Sequence, residues 1–454
     1  MTTIGGASAP LHPRPAPVRA LDILRQLGPG LIISAVIVGS GELIVTPKLG
    51  ATVGFSMLWF IILGCFIKVF VQIELGRYAI ARGMTTLEAM NSIPGPRLIV
   101  SWLLWLWLLM YVALVFQVAG MVGGLASVFA LAGLPVANWL LTVLVAASCA
   151  VLLVLGRYRL VESVSTALVV LFTLTTLVAV GALQSTPFAI TAGQIAEGLK
   201  FRLPEQFTTA FAAFGIIGVG ASELIYYPYW CLEKGYARNV GAHEDEAAWY
   251  ARARGWLRVM RIDAWVSFAI YTTATLAFYL LGAAVLHAKG LVVENNQMIA
   301  TLSHMYRETF GQWSYWLFLV GAFAVLYSTV FGATASNARL FADALVLFRV
   351  VRYRTPDDRA RMVRAGCVLL PCAFATVFLV LGEPVSLVFV GALAQGLMLP
   401  FLAAAALYFC HRRLPPLLRP GLLWRLWLWL AALAMTLVGL YKVWEELRKV
   451  WTVA

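Results

Sequence analysis

The chain has 454 residues, of which 61% are hydrophobic and only 12% are charged. A soluble protein of this length cannot bury so much apolar surface in one core, so the composition excludes an ordinary water-soluble fold. The net charge of +13 is explained better by basic loops at a membrane surface than by nucleic-acid binding. We therefore expect a membrane protein without a nucleic-acid partner.

Residues 1–20 are rich in Pro, Ala and Gly, which predicts a disordered cytoplasmic N-terminus. Eleven apolar stretches follow, each long enough to cross roughly 30 Å of hydrocarbon as a helix. The sequence therefore predicts an all-α membrane protein of about eleven transmembrane helices. The predicted spans lie near residues 28–50, 55–78, 98–130, 138–156, 160–184, 207–232, 261–288, 313–343, 365–382, 385–410 and 422–444.

Lys and Arg are concentrated in the loops on the same side of the membrane as the N-terminus. Because cytoplasmic loops carry an excess of these residues, the N-terminus is expected in the cytoplasm. With eleven spans, the C-terminus is then extracytoplasmic. We expect a multi-pass protein of the plasma (inner) membrane, with the lipid bilayer as its environment.

Spans one and six carry the same short motif. The first contains Gly39-Ser40-Gly41-Glu42 before Pro47, and the sixth contains Gly220-Ala221-Ser222-Glu223 before Pro228. Five spans separate the starts of the two copies, so the second copy enters the membrane with opposite topology, as in an inverted repeat. We predict a first repeat over residues 21–184, a second over 185–410, and an eleventh span with a C-terminal tail over 411–454.

Gly and Pro both weaken a helix, so spans one and six are predicted to unwind near Gly39–Glu42 and Gly220–Glu223. Backbone polar groups freed inside a membrane must meet a cavity, a ligand or buried protein. A Glu at each break adds an ionisable group near the bilayer midplane, where such groups are costly and usually functional. We predict that both Glu side chains face one central cavity; the alternative is structural hydrogen bonding to the broken backbone.

These considerations define a predicted substrate-binding set. Its members are Gly39, Ser40, Glu42, Gly220, Ser222, Glu223 and Gln395. Gln395 belongs to span ten at a pore-facing position, although such an amide more often makes a helix-packing hydrogen bond.

Span two adds Lys68 and Glu74, which we assign to a charge network. A buried ammonium needs a partner or loses its proton, so a structural ion pair of Lys68 with Glu42, Glu223 or Glu74 is expected. The alternative is a fixed cation that takes the place of a coupling ion or binds an anionic substrate group. Asp263, at the start of span seven, is either a helix cap or a functional acid.

From about Gly28 to Phe409, the sequence resembles the Nramp family of divalent-metal transporters. The matching pieces are Gly28-Pro29-Gly30, Gly50-Ala51-Thr52-Val53-Gly54, Arg157–Glu162, Ser328-Thr329-Val330-Phe331-Gly332 and Leu399-Pro400-Phe401. Their order and spacing carry the resemblance. It implies five-plus-five inverted repeats with broken first and sixth helices, the fold shared with many amino-acid and amine transporters.

The departures from the family concern its two signature motifs. The family's Asp-Pro-Gly-Asn aligns here with Gly39–Glu42, and its Met-Pro-His aligns with Ser222–Leu224. The soft thioether is therefore absent, and Glu42 and Glu223 become the tentative metal ligands. Hard oxygen ligands suit Mg²⁺ or Mn²⁺.

The groups that carry protons in the family are also absent. The aligned positions read Leu224, Tyr229, Gln117 and Gly120, none of which titrates near pH 7. The sequence therefore predicts a secondary transporter that moves a divalent cation by alternating access, without proton coupling. The main alternative is a transporter of a small organic solute, an amine or amino acid; the third hypothesis is a receptor that kept the fold.

No phosphate-binding loop or metal-binding His or Cys motif is found, so no cofactor and no enzymatic activity are expected.

Overall fold

The computed structural model describes residues 13–156, 158–203, 207–242 and 246–453. Most of the N-terminal segment predicted to be disordered, residues 1–12, lies outside this part. Within it, the backbone of Arg14 is hydrogen-bonded to Asn239 and to the indole of Trp256.

Helices form almost all of the described chain. The main helices of the described residues are α1 (Pro29–Val53), α2 (Leu58–Arg82), α3 (Trp102–Leu131), α4 (Asn138–Val154), α5 (Tyr158–Ala182), α6a (Phe207–Ile216) with α6b (Ala221–Glu233), α7 (Glu246–Leu281), α8 (Ser314–Leu347), α9 (Pro356–Leu381), α10 (Pro384–Tyr408) and α11 (Leu422–Val453).

Short elements connect these helices. Five are α-helices: Ala20–Gln26, Thr86–Asn91, Ala192–Gly198, Tyr236–Val240 and Met298–Phe310. Three are single 3₁₀ turns, at Leu183–Ser185, Asn295–Gln297 and Pro416–Leu418, and α7 and α10 each end in a π-helical turn, Gly282–His287 and Phe409–Arg413. The strands Arg97–Leu98 and Val100–Ser101 form a two-residue antiparallel hairpin before α3.

Nine helices of the described chain are long and apolar enough to cross a membrane, and two shorter apolar helices accompany them. Together they correspond to the eleven predicted spans, which confirms the all-α membrane class. The main difference is α7, which begins at Glu246 rather than near residue 261. Charged residues are tolerated on the solvated part of a helix that continues beyond the bilayer, so the apolar stretch underestimates its length.

The two motif copies interrupt their helices in different ways. In α6, residues 217–220 are not helical, and Gly218 has φ +61°, which glycine adopts readily. In α1, Gly41–Val45 forms a π-helical turn and the helix continues, instead of unwinding as predicted. Pro47 lacks an N–H and its ring clashes with the carbonyl four residues earlier, and a π turn shifts the register to relieve both.

The helix contacts follow the five-helix offset between the motif copies. Helix α1 packs on α7, and its counterpart α6b packs on α2; likewise α3 packs on α10, and α8 on α5. These pairs are exchanged when each helix number is shifted by five. They agree with an inverted repeat, whose boundaries at residues 21–184 and 185–410 stay a prediction.

Hydrogen bonds with α7 hold α1 at both of its ends and in its middle. The carboxylate of Asp263 accepts hydrogen bonds from the backbone N–H groups of Gly28 (3.0 Å) and Gly30 (2.7 Å), so it caps α1 rather than its own helix. Thr275 lies opposite the π turn, and the hydroxyl of Tyr279 donates to the carbonyl of Gly54 at the far end (2.6 Å). The position of α1 is thereby fixed on both sides of its π turn.

Candidate functional site

Glu42 lies in the π-helical turn of α1 and is completely buried. Its Oε1 accepts hydrogen bonds from the Thr275 hydroxyl of α7 (2.7 Å) and from the backbone N–H of Gly218 in the α6 break (3.3 Å). Its Oε2 has no hydrogen-bond partner within the part of the chain that the structure describes. A buried carboxylate oxygen without a donor has free capacity to bind a proton, a water or a cation.

Glu223 lies in the first turn of α6b, directly after the break, and is only 8% exposed. Its Oε1 is 2.8 Å from the hydroxyl of Ser222. That hydroxyl also lies 2.9 Å from Oε1 of Gln395 in α10, which accepts the backbone N–H of Ser222 at 2.9 Å as well. The amide of Gln395 in turn donates to Oε1 of Gln117 in α3 (2.9 Å). Three predicted site residues, Ser222, Glu223 and Gln395, thus form one polar chain.

The two Glu side chains flank the same backbone segment, residues 217–220. Glu42 binds the N–H of Gly218 from the α1 side, and Glu223 follows Gly220 on the α6b side. Among the described residues, no Lys, Arg or His forms an ion pair with either carboxylate. Their arrangement around a shared cavity stays a prediction.

The glycines of the predicted set have different roles. A Cβ on Gly220 would lie 2.5 Å from Oε2 of Glu223 and 2.6 Å from Oε1 of Gln395, so any larger residue would displace these two polar groups. A Cβ on Gly39 would lie 1.7 Å from Oγ1 of Thr329, which places Gly39 at the contact between α1 and α8. The side chain of Ser40 lies outside the described part.

Lys68 does not make the expected ion pair. Its ammonium donates to the backbone carbonyls of Phe214 and Ile217 (2.7 Å to Ile217) and lies 4.7 Å from the centre of the Phe214 ring. These carbonyls belong to the C-terminal end of α6a, where the break leaves them without helical donors. The sequence predicted the break of span six but not the direction of the carbonyls that the break frees, so it could not identify them as the partners of Lys68.

The predicted network of Lys68 with Glu74 is likewise corrected. Glu74 forms a buried ion pair with Arg77 (2.9 Å) and accepts the indole N–H of Trp424 in α11 (2.7 Å). Lys68 and Glu74 are six residues apart on α2, which places their side chains about 120° apart around the helix axis. They therefore point to different neighbours. Glu74 therefore attaches α11 to α2 and is not part of the break.

The polar atoms near the break are mostly oxygens and amides, with the ammonium of Lys68 and the thiol of Cys65 beside them. Within the described residues, no group of three or more His, Cys, Asp or Glu side chains could hold a metal ion. A cation here would be held by two carboxylates with hydroxyl, amide and backbone oxygens, which are hard ligands.

Sequence reasoning missed Thr275 and Gly218, which bind Glu42. The signal for Thr275 is weak, because it belongs to a Thr-rich stretch of α7 in which Thr273 is exposed. Gly218 lies before the matched motif, which begins at Gly220, so the comparison of the two motif copies does not identify it. Gln117 was considered only as a position that lacks an acid, yet its amide binds Gln395.

Comparison with known proteins gives a family and a set of folds. The family model described as Natural resistance-associated macrophage protein-like (Nramp) matches residues 30–445. No curated protein matches the chain. Similar solved structures include a mutant of the Eremococcus coleocola manganese transporter (TM-score 0.68, 16% identity, covering 97% of this chain and 90% of that one). The same transporter in complex with an aromatic bis-isothiourea substituted compound gives a TM-score of 0.66 at 15% identity, over 95% and 89% of the two chains.

A more distant structure shares the architecture. Mhp1, a nucleobase-cation-symport-1 family transporter in a closed conformation with bromovinylhydantoin bound, gives a TM-score of 0.52 at 16% identity, over 96% and 95% of the two chains. At these identities the likeness shows the fold. It confirms the predicted all-helical fold shared with these transporters.

Proposed function

The chain belongs to the Nramp family, and from this premise we propose that it is a secondary transporter that moves a divalent cation across the membrane by alternating access. One observation carries the proposal. Two buried carboxylates, Glu42 and Glu223, flank the break of α6 without an ion-pair partner in the described chain, and Glu42 keeps an unbonded oxygen. Buried carboxylates are unfavourable without a compensating positive charge, which a bound cation supplies.

The ligand chemistry favours a hard cation, Mg²⁺ or Mn²⁺. The oxygens available near the break are those of Glu42, Glu223, Ser222 and Gln395, with backbone carbonyls of the non-helical segment. No thioether accompanies them in the motif, so a selective preference for soft ions has no basis there. That the similar solved structures include a manganese transporter supports a divalent substrate.

We also propose that transport is not coupled to protons. The positions aligned with the family's proton carriers hold Leu224, Tyr229, Gln117 and Gly120. A Cβ on Gly120 would lie 2.4 Å from the carbonyl oxygen of Pro384, so an acidic side chain has no room at that position. Gln117, which does not titrate, is hydrogen-bonded to Gln395.

Lys68 gives the second candidate function its support. The ammonium binds carbonyls at the same break of α6 that the two carboxylates flank, although it binds neither carboxylate. Two carboxylates and one ammonium leave a single uncompensated negative charge, which matches an organic amine better than a divalent ion. An argument against this function is that the α6a carbonyls contacted by Lys68 carry partial negative charge. They offset part of the positive charge that Lys68 presents to the carboxylates.

Binding of metals and amines to the purified protein separates the two functions. A ligand that binds only the folded state raises the melting temperature (Tm), so Mg²⁺ and Mn²⁺ are expected to stabilise the protein while alkylamines and amino acids do so less. In proteoliposomes, Glu42→Gln and Glu223→Gln are each expected to abolish divalent-cation uptake. Glu383→Gln, in the exposed turn between α9 and α10, is the matched control and should transport normally.

Two outcomes would contradict the proposal. Stabilisation by an amine with none by metals would favour the organic solute. Wild-type uptake in both Glu variants and in their double variant would reduce the carboxylates to a structural role.

The remaining sequence predictions stay part of this proposal. We propose a plasma-membrane location with a cytoplasmic N-terminus and an extracytoplasmic C-terminus. A cysteine introduced in residues 2–12 should then resist membrane-impermeant reagents in intact cells. Labelling from outside would overturn the orientation.

A further inference from the structure

Lys68 occupies an unusual position for a basic residue. It lies in the middle of α2, is completely buried, and touches no carboxylate among the described residues. Its ammonium contacts three groups that attract cations, namely the carbonyls of Phe214 and Ile217 and the face of the Phe214 ring. The side chain thus fills a set of cation ligands instead of forming an ion pair.

The break of α6 creates this set of ligands. A helix ends with carbonyls that have no intrahelical donors, and the helix dipole adds partial negative charge there. In a membrane such carbonyls cannot turn to water and must find a donor or a cation. Broken helices of secondary transporters use such half-helix ends to coordinate small monovalent cations.

We infer that Lys68 is a tethered cation that occupies the monovalent-cation site at the C-terminal end of α6a, so that the protein needs no free Na⁺ or K⁺ at the break. The inference rests on the proposed transport function and specifies its ion requirement. It makes Lys68 a positioning residue, which holds the break in shape and supplies one fixed positive charge beside Glu42 and Glu223.

The packing around Lys68 supports a dedicated site. A Cβ on Gly64, one turn before Lys68 on α2, would lie 3.3 Å from the Phe214 ring, so the glycine lets α6a approach α2 closely. A Cβ on Gly218 would lie 2.9 Å from the sulfur of Cys65. The end of α6a and the break are therefore packed directly against the segment of α2 that carries the ammonium.

Lys68→Ala empties the site while leaving its carbonyls in place, and chemical rescue tests the inference. We expect the Tm of the purified full-length variant to fall by about 5 °C or more, because buried carbonyls lose their donor. Methylammonium chloride should restore at least half of this loss, whereas choline chloride, which is too large for the vacated space, should not. Lys68→Met fills the space without a charge and should be destabilised but not rescued.

Lys48 provides the matched control. Its ammonium also lies over an aromatic ring, that of Phe389 (4.9 Å), but it is only partly buried and has no helix-end carbonyls. Lys48→Ala should show no specific response to methylammonium. The wild-type Tm should be the same in NaCl, KCl and choline chloride.

Three outcomes would overturn the inference. They are a saturable rise of the wild-type Tm with Na⁺ or K⁺, wild-type stability of Lys68→Met, and equal rescue of Lys68→Ala by choline. The wild-type measurement decides the matter even if the variants do not fold. Since none of these readouts uses a divalent ion, failure of the proposed transport function would be seen separately, in the uptake of Glu42→Gln and Glu223→Gln.

Discussion

Glu42 in the π turn of α1 accepts a hydrogen bond from the backbone N–H of Gly218 in the break of α6. The irregular parts of the two motif-bearing helices are therefore joined directly, through a carboxylate from one and main chain from the other. Since Thr275 binds the same carboxylate oxygen, α7 is the third participant.

Removal of the Thr275 hydroxyl should weaken substrate binding. Thr275→Val keeps the shape of the side chain but leaves Oε1 of Glu42 with one donor fewer. A hydrogen bond to a charged group contributes about 1.5–3 kcal/mol, so the KM for uptake should rise roughly tenfold or more. Thr275→Ser should restore it. Thr273→Val, on the exposed side of α7, serves as the control. An equal rise of the KM in this variant would show that the effect is not specific to Thr275 and would contradict its role in the site.

Asp263 is expected to be a determinant of stability and not of transport chemistry. Asp263→Ala leaves the backbone N–H groups of Gly28 and Gly30 without their acceptor, whereas the hydroxyl of Tyr227 keeps the carbonyl of Met260. We expect a loss of about 2–4 kcal/mol in the free energy of unfolding, measured by thermal or denaturant unfolding in detergent. Asp22→Ala removes a half-exposed carboxylate whose ion pair with Arg25 is 3.8 Å long, and should change little. A stable Asp263→Ala variant without uptake would instead make Asp263 a functional acid.

The ion pair between Asp343 of α8 and Arg359 of α9 should show strong coupling. Asp343 is fully buried, and the guanidinium of Arg359 binds both its oxygens, at 2.7 and 3.1 Å. Arg359→Ala strands a buried charge and should cost about 3–5 kcal/mol, whereas the double variant Asp343→Ala/Arg359→Ala should cost clearly less than the sum of the single variants. Arg361→Ala, which removes an exposed pair 3.8 Å long, should cost under about 1 kcal/mol. Additive losses would show that the pair is not coupled.

Cation uptake should proceed without stoichiometric proton movement. Proteoliposomes that contain a pH-sensitive dye, with the membrane potential clamped, should show uptake of Mn²⁺ or Mg²⁺ without acidification. Glu42 and Glu223 are the groups near the break that could still carry a proton if they shared it. Substrate-dependent acidification that disappears in Glu42→Gln would identify them as the proton carriers.

The sequence predicted the elements whose signals are local. Apolar length located the eleven spans, and the paired motifs located both irregular segments together with Ser222 and Glu223, while Gln395 was singled out separately as a polar residue of span ten. The π turn of α1 was not predicted, because Gly and Pro indicate a weakened helix without specifying whether it unwinds or changes register. Partners far apart in the chain were also missed. Lys68 was expected to pair with a carboxylate but donates to main-chain carbonyls. The orientation of these carbonyls depends on the geometry of the break, which the residue types do not encode.

Helix α7 meets α1 at Asp263, Thr275 and Tyr279, contacts that extend over about 24 Å at 1.5 Å per residue. Rotation of one helix against the other would break a cap, a carboxylate contact and a terminal hydrogen bond at the same time. We therefore expect the two helices to move as one rigid unit in the proposed transport cycle, with the hinge in the four non-helical residues of α6. Because the middle contact is made by Glu42, which also accepts the N–H of Gly218, we expect a change in what this carboxylate binds to alter both the helix pair and the break.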